Sequence, residues 1–467
     1  MNNRNETYDV AVVGGGPGGY SAAIRAAQAG KKVILFEQEK LGGVCLNVGC
    51  IPTKYLLEKA ALVDRIARDT QNNIFREAGL FSWKKIQSGK DTAVKKLVSG
   101  VEGIVAGHKI KIVKGHAKVN RAGTVEGPNG EEFLADSIIL ATGSRPVMPP
   151  IPGADNPNVL DSSGALMQGN IPRSLVIIGG GVIGLEFASI YGAMGSEVTV
   201  LEMLPALLPN EDSDLSLALR QAMEKRGIHI HIGVRVEEIT PDGDGCTVRY
   251  GTNDKQKTIT ADKILAAVGR KPNLEGIDVS ALGLKLDGKG YIAANKRQET
   301  SVPGIYAAGD VTGGWQLAHA AYAEADTAVA NCTGGSVETS YETIPRCIYS
   351  LPQLASVGAA EQQLKEKNIG YKKGVVPYMS NGKAIVSEEP EGFVKILCAE
   401  KTGEVLGVHM MGSHATELLS PALVAMNMHA TVETLAGMIF PHPTLSELFK
   451  EAAMACMDRA LHSKPSR

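Results

Sequence analysis

The chain has 467 residues, of which 44% are hydrophobic, 21% charged and 53 are glycine, a length and mixture that suit about three globular domains and exclude a mini-protein, a disordered chain or a membrane-embedded one. Glycine at about 11%, against a usual ~7%, follows no G-X-Y period, which excludes collagen and assigns the excess to tight turns and close backbone approach. The 48 basic and 50 acidic residues leave a net charge of −2, so neither nucleic acid nor an anionic membrane is an expected partner.

The polar N-terminus leads into an apolar run that opens into glycines without a small-residue cleavage pattern, and it reads as a strand rather than a signal peptide. The best membrane candidate, residues 175–185, is interrupted by Glu186 and too short to span a bilayer. A cytoplasmic location is expected. Residues 8–37 and 173–202 superpose without a gap at a constant offset of 165, which places Gly14, Gly16, Gly19, Gly30 and Glu37 on Gly179, Gly181, Gly184, Gly195 and Glu202. Each copy reads as an apolar strand, a G-x-G-x-x-G turn, an alanine-rich helix and a second strand ending in glutamate, which is a βαβ unit. In such a turn the first glycine permits the bend and the second lets backbone N–H groups approach a pyrophosphate. The third allows helix to pack on strand, and the helix N-terminus faces the anion. Two dinucleotide sites are therefore predicted. Glu37 and Glu202 are placed to accept hydrogen bonds from an adenosine ribose. A carboxylate at 202 repels a 2′-phosphate, and Met203 and Leu204 supply no arginine to offset it, which favours NAD over NADP.

Between the copies, residues 55–70 and 83–108 read as helices, and residues 109–119, 123–126 and 133–141 alternate like strands. The sequence ATGS follows at 141–144, and prolines 146, 149, 150, 152 and 157 suggest a stiff linker into the second copy. Residues 264–273 (ILAAVGRKPN) read as the return path, and 304–310 (GIYAAGD) as a strand ending at an acidic residue. From residue 341, strands, two helices and a histidine-bearing tail make a third unit.

Of the seven cysteines, Cys45 and Cys50 stand close together in GGVCLNVGCIPTK, just after the first copy. A C-x4-C spacing around a glycine at a helix start can bring two sulfurs together and place a thiolate in the field of the helix terminus. Two ordinary buried cysteines are the bland alternative. Zinc sites usually show C-x2-C pairs with a second pair, so no metal is expected. Cys246, Cys332, Cys347, Cys398 and Cys456 have no local partner and read as core or surface thiols. Nicotinamide gives up a hydride whereas a disulfide is opened by thiolate chemistry, so a flavin is the natural relay, and FAD is expected at the first turn beside the cysteines. In the tail, Pro443 and the Thr/Ser pair suggest a turn capped into a helix. That turn lets the Glu447 carboxylate reach back to the His442 imidazole and raise its basicity.

GGVCLNVGCIPTK resembles the redox-disulfide signature of the flavin-dependent pyridine nucleotide disulfide oxidoreductases, and within them most the dihydrolipoamide dehydrogenases. Both glycine motifs, ATGS, GIYAAGD and HPTLSE (442–447) stand in that family's order over essentially the whole chain. The resemblance implies an α/β fold of two Rossmann-like dinucleotide-binding domains, the FAD domain split by an inserted NAD domain, plus an α+β C-terminal dimerisation domain. The expected division is 1–148 and 273–340 for FAD, 149–272 for NAD and 341–467 for dimerisation. It also implies roles: Cys45 as the interchange thiol that attacks substrate, Cys50 as the charge-transfer thiol, Lys54 near the flavin with Glu186 as its carboxylate partner, and Asp310 holding the ribityl chain. Gly143 and Ala318 join the FAD contacts and Gly269 the NAD contacts. His442 and Glu447 are implied to reach the disulfide of a neighbouring subunit, hence a homodimer. The implied reaction is oxidation of dihydrolipoyl groups carried on a lipoyl domain of a 2-oxoacid dehydrogenase complex or glycine cleavage system. No lipoyl-like segment is expected before Tyr8.

Rival readings are a sister reductase of the glutathione or mercuric type and a binding or adhesion protein with a structural flavin. Glutathione-type relatives generally prefer NADP, against Glu202. Mercuric-type relatives carry a C-terminal cysteine pair, whereas Cys456 stands alone in the sequence. The chain departs from the family at Gln353, where glutamate is usual, at Ala320 and Ala325, where lysine and glycine are common, and at Phe440-Pro441, where a small residue precedes the histidine. These departures leave open which lipoyl-bearing complex it serves.

Overall fold

The computed structural model describes residues 6–76, 80–252 and 255–463. Strands β1 (Thr7–Val13) and β2 (Val33–Glu37) lie parallel, with Val10 opposite Val33. Their side chains are almost all buried, because helices or further strands cover both faces, and this is why both read as unbroken apolar runs. Helix α1 (Pro17–Gln28) joins them and opens with proline in its first turn, where a missing N–H breaks no helical hydrogen bond. After β2 come α2 (Gly43–Val48), α3 (Cys50–Gln71) and α4 (Trp83–Gly107). The helix predicted from residue 55 thus starts at Cys50. Strand β3 (Glu132–Leu140) takes the other side of β1, and Lys111–Lys114, Thr124–Glu126 and Lys118–Arg121 complete the sheet.

The second βαβ unit repeats this plan with β4 (Ser174–Ile178), α5 (Val182–Ala193) and β5 (Glu197–Glu202). Helix α6 (Ser213–Lys225) leads to the strand His229–Ile232, a three-stranded antiparallel ribbon follows, and β6 (Lys263–Ala266) returns beside β4. Two short crossing strands, Ser144–Pro146 and Arg270–Pro272, carry the chain out and back. It then re-enters the first sheet as β7 (Ile305–Ala307), parallel to β3, so the second unit is an insertion in the first. Helix α7 (Ala318–Cys332) packs on α1 through alanines, Ala22, Ala23 and Ala26 sharing one buried cluster with Ala325 and Ala328. Ala320 and Ala325, noted as departures, are both buried.

In the C-terminal unit, β8 (Gln353–Gly358), β9 (Phe393–Ala399) and β10 (Val405–Gly412) form an antiparallel sheet with Arg346–Ile348 and Tyr371–Pro377. The expected two helices are a correction. Short helices at Glu361–Glu366, Gly382–Val386, Ala415–Leu418, Ser420–Asn427 and Val432–Gly437 precede α8 (Glu447–Ala455). Those five have 4 to 8 residues each, too few turns for a 3.6-residue period to show in the sequence. One buried cluster draws Leu56 and Leu57 from α3, Phe187 and Tyr191 from α5, and Leu354 and Met411 from this sheet. All three units thereby meet behind the cysteines. Among the described residues no helix is long and apolar enough to cross a membrane.

Candidate active site

A cleft of about 2070 Å³ runs from the turn after β1 to the turn after β4, several times the ~300–1,000 Å³ of a small-molecule pocket. Its walls include Gly14, Gly16, Glu37, Cys45, Cys50, Lys54, Gly143, Asp310 and Ala318, and, across from them, Gly179, Gly181, Glu186, Glu202 and Gly269. Gly19, Gly184, His442 and Glu447 do not line it. A Cβ on Gly19 would lie 1.7 Å from the Gly14 carbonyl oxygen, and one on Gly184 2.1 Å from that of Gly179; the third glycine of each turn serves helix-on-strand packing. Gly14 and Gly179 have φ of +104° and +115° and abut the carbonyls of Ala141 and Ala267. At Gly16 the nearest atom to a Cβ is 3.8 Å away and at Gly181 there is nothing within 4 Å. The middle glycines thus face open cleft at a helix start, which suits the diphosphate of a dinucleotide.

The two glutamates have matched surroundings. Glu37 accepts from the Gly15 N–H and the Glu39 N–H, both at 2.7 Å, and Glu202 from the Gly180 and Leu204 N–H groups, both at 2.6 Å. Besides standing at the cleft, each carboxylate ties its glycine turn to its strand end. Burial raises the Glu37 carboxyl above its ordinary pKa, against the pull of those N–H groups.

Cys45 lies on α2 and Cys50 opens α3, with Gly49 between; a Cβ on Gly49 would lie 2.8 Å from the Val44 carbonyl oxygen. The two free thiols are near enough to shift each other's ionisation. The proximity of Cys45, assisted by the charge of Lys54 and opposed by burial, brings Cys50 down to about 7, while Cys50 and burial push Cys45 up. Lys54 is one helical turn beyond Cys50 on the same face. Its Nζ donates to both carboxylate oxygens of Glu186 on α5 at 2.9 Å and lies 4.7 Å from the centre of the Tyr349 ring. The Tyr349 N–H in turn donates to Glu186 Oε1 at 3.0 Å. Lys54, Glu186 and Tyr349 come from three different units.

Asp310 follows β7 and accepts from Ser144 Oγ at 2.5 Å, while Arg270 Nε donates to Ser144 Oγ at 2.7 Å and stands 3.7 Å from the Asp310 carboxylate. Arg270 also donates to the Ser144 carbonyl at 2.8 Å. Sequence reasoning missed Arg270 as part of this wall. Its signal is its place directly after Gly269 on the return path. At the C-terminal unit, His442 Nδ1 and Glu447 Oε1 are 3.0 Å apart, and Glu447 Oε2 accepts from the Thr444 N–H at 2.9 Å. Burial raises the Glu447 carboxyl, but that N–H and His442 outweigh it and hold it below the carboxylate range. The His442 side chain is 77% exposed, so the chain forms the dyad without bringing it to its own thiols.

Two further groupings escaped the sequence. Buried Lys395 of β9 gathers Asp212, Asp214 and Glu361, with His409 and the Arg346–Glu211 pair close by. Cys456, read as standing alone, is a correction: α8 carries it into one buried cluster with Cys398 of β9, where the two thiols shift each other's ionisation. The contact is tertiary, between a strand and a helix end far apart in the chain, so local spacing carried no trace of it.

The family described as pyridine nucleotide-disulphide oxidoreductase matches residues 8–325, and its dimerisation domain matches residues 344–453. A dihydrolipoyl dehydrogenase of Bacillus subtilis is 40% identical, covering 97% of this chain and 100% of the relative. One from Thermus scotoductus is 40% identical, covering 98% and 99%. Among solved structures, the HOCl-induced flavoprotein disulfide reductase RclA of Escherichia coli superposes with a TM-score of 0.86 at 28% identity, covering 96% of this chain and 99% of the other. LpdA of Mycobacterium tuberculosis superposes at 0.87 with 26% identity over 96% and 99%.

Proposed function

The chain belongs to the pyridine nucleotide-disulphide oxidoreductase family, and from that premise we propose which of its residues carry its chemistry. Its activity is that of a dihydrolipoyl dehydrogenase: oxidation of dihydrolipoamide to lipoamide with reduction of NAD+ to NADH, with FAD and NAD as cofactors. Curated relatives of that activity, at 37% to 40% identity over nearly the full length, leave the glutathione, mercuric and adhesion readings unfavoured. When bound, FAD supplies a two-electron relay between a thiol pair and nicotinamide.

The bare middle glycines at two helix starts, in a cleft of this size, fit two dinucleotides. Gly14, Gly16, Glu37, Gly143, Asp310 and Ala318 hold FAD, with Gly19 packing the turn. Gly179, Gly181, Glu202 and Gly269 hold NAD, with Gly184 in the matching role. His442 takes a proton from the substrate dithiol, and Glu447 fixes its Nδ1 so that Nε2 faces outward. The substrate thiolate bonds to Cys45 as the Cys45–Cys50 bond breaks, and Cys50 leaves as thiolate; the second substrate thiol then displaces Cys45 and closes the lipoyl ring. Lys54, anchored by Glu186, places positive charge beside Cys50. The observation that carries this assignment is the placement of Cys45 and Cys50 together on the cleft wall with the Glu186-anchored Lys54 one turn beyond Cys50; that charge lowers the Cys50 thiol and favours it as the leaving group of the pair.

The exposed His442 and exposed apolar side chains of the same unit, Val424, Met428 and Ile439, support a homodimer in which one protomer's dyad serves the other's Cys45. The substrate arrives on a lipoyl domain of a 2-oxoacid dehydrogenase complex or a glycine cleavage system, in the cytoplasm. Two measurements test the reading. Cys50→Ser should leave FAD absorbance intact and remove lipoamide turnover, and full turnover would overturn the role of Cys50. In a matrix of NADH and NADPH against lipoamide, glutathione disulfide and mercuric ion, activity should concentrate at NADH with lipoamide. Equal rates with NADPH would overturn the role given to Glu202.

A further inference from the structure

The mechanism leaves one side-chain pair without a task. Cys398 on β9 and Cys456 at the C-terminal end of α8 are 1% and 4% exposed and belong to the same buried cluster. Ile396 and Cys398 are two residues apart on the strand and so point to one face, and Cys456 Sγ donates to the Ile396 carbonyl at 3.5 Å. The helix descends to this depth because Gly374, opposite Ile396 on the neighbouring strand, has no side chain. A Cβ there would lie 2.1 Å from the Ala452 carbonyl oxygen and 2.6 Å from the Cys456 nitrogen. The two sulfurs are near enough to shift each other's ionisation, as those of Cys45 and Cys50 are. The neighbouring Cys456 lowers Cys398, helped by the Lys372 N–H and ammonium against burial, so Cys398 is the sulfur better disposed to ionise.

We propose that Cys398 and Cys456 are a second thiol–disulfide couple, closed by a hydroperoxide, whose bond fastens α8 to β9. The Cys398 thiolate attacks a peroxide oxygen, the O–O bond breaks, and hydroxide leaves and takes up a proton as water. The Cys456 sulfur then attacks the sulfenic sulfur of Cys398; the S–O bond breaks, and the hydroxyl leaves with the Cys456 proton as a second water. Two thiols and one hydrogen peroxide become one disulfide and two waters. The bond ties the far end of the helix that begins at Glu447, the partner of His442. Because both sulfurs are buried, reaction follows opening of the turn after Ala455, at the end of a helix only nine residues long.

The test uses FAD-loaded full-length protein. It is treated with hydrogen peroxide, quenched with catalase, alkylated with iodoacetamide in denaturant, digested without reduction and read by mass spectrometry. The expected product is a peptide pair joined through Cys398 and Cys456 that dithiothreitol separates. Its formation should raise the urea midpoint of the wild type reversibly, and no such rise should occur in Cys398→Ala or Cys456→Ala. Recovery of both cysteines alkylated, or of Cys398 as sulfinic acid without a joined peptide, overturns the couple. A joined peptide with an unmoved midpoint overturns the fastening. The wild-type peptide decides even if one alanine variant does not fold.

Discussion

Two lysines bridge the inserted unit to its neighbours, and they do so in opposite settings. Lys395 and Asp212 are both fully buried, and the Lys395 ammonium meets carboxylates of Asp212, Asp214 and Glu361 at 2.6 to 2.9 Å. An ammonium has three N–H donors, so this one is saturated. Lys54 is 30% exposed on the cleft wall and has one carboxylate, Glu186, beside an aromatic ring. The sealed bridge joins the start of α6 to the C-terminal sheet and has nothing left to offer a ligand. The open one retains donor capacity and a field directed at the thiols. Burial and saturation, rather than the residue types, separate scaffold from site.

The largest expected effect breaks the sealed bridge. Lys395→Met leaves the buried Asp212 without its cation, while Glu361 keeps Lys365 and Lys373, and losing one partner of a buried pair costs about 3–5 kcal/mol. Asp212 also caps α6, accepting from the Asp214 N–H at 3.1 Å, and accepts from the Glu361 N–H at 3.0 Å, so both helix starts should loosen. Urea unfolding of the FAD-loaded protein measures it, with turnover per bound FAD expected to stay near wild type. A loss below about 1 kcal/mol, the value of a surface pair, would erase the contrast.

Next in size is the open bridge. Lys54→Met removes charge from beside Cys50, and turnover should fall about 10²–10³-fold, the usual scale for one lost electrostatic contact at a reacting centre. Stability should change less than in Lys395→Met, because Lys54 is 30% exposed, so water can reach the place its ammonium leaves, whereas Lys395 and Asp212 are both fully buried. The Cys50 thiol should titrate above its value of about 7, as read from the pH dependence of iodoacetamide alkylation in the reduced enzyme. An unmoved titration would show that Lys54 acts by position and not by charge.

The open bridge was visible in the sequence and the sealed one was not. Lys54 stands four residues after Cys50 inside a motif, and Glu186 one turn into the helix after the second glycine motif; spacing and resemblance sufficed to name them. The duplicated turn likewise declared itself because its constraint is local, a missing Cβ at fixed intervals. Lys395 carried one weak sign: it interrupts a strand whose five central residues are all buried, where a lysine cannot reach water. Its partners, a helix cap in another unit and a residue of a six-residue helix, are fixed by tertiary packing alone. The same holds for Cys398 with Cys456 and for Arg270 with Asp310.

The last prediction concerns His409, which faces the sealed bridge. The ring is fully buried, its Nε2 bonds the Ala359 carbonyl at 2.9 Å, and its Nδ1 has no partner among the described residues. Burial lowers it from 6.5 to about 4, against the pull of Asp212 and with the help of Arg346 and Lys395. A group whose folded pKa lies below its unfolded one binds its proton first in the unfolded chain. Stability therefore falls as pH drops through the window from 6.5 to about 4, by about 3 kcal/mol at 1.36 kcal/mol per unit. Asp212 and Glu361 are held below their ordinary values of 3.8 and 4.5, so they take up protons first in the unfolded chain and their losses overlap the acid end of that window, in wild type and variant alike. Burial also lowers His231 and His319, and both contribute equally to wild type and variant, so the difference isolates His409. His409→Gln keeps a donor for Ala359 and cannot titrate, and its unfolding free energy should decline less steeply than the wild type's between pH 6.5 and 4. Parallel curves would mean that the ring takes up its proton in the folded chain, and that the sealed bridge admits water after all.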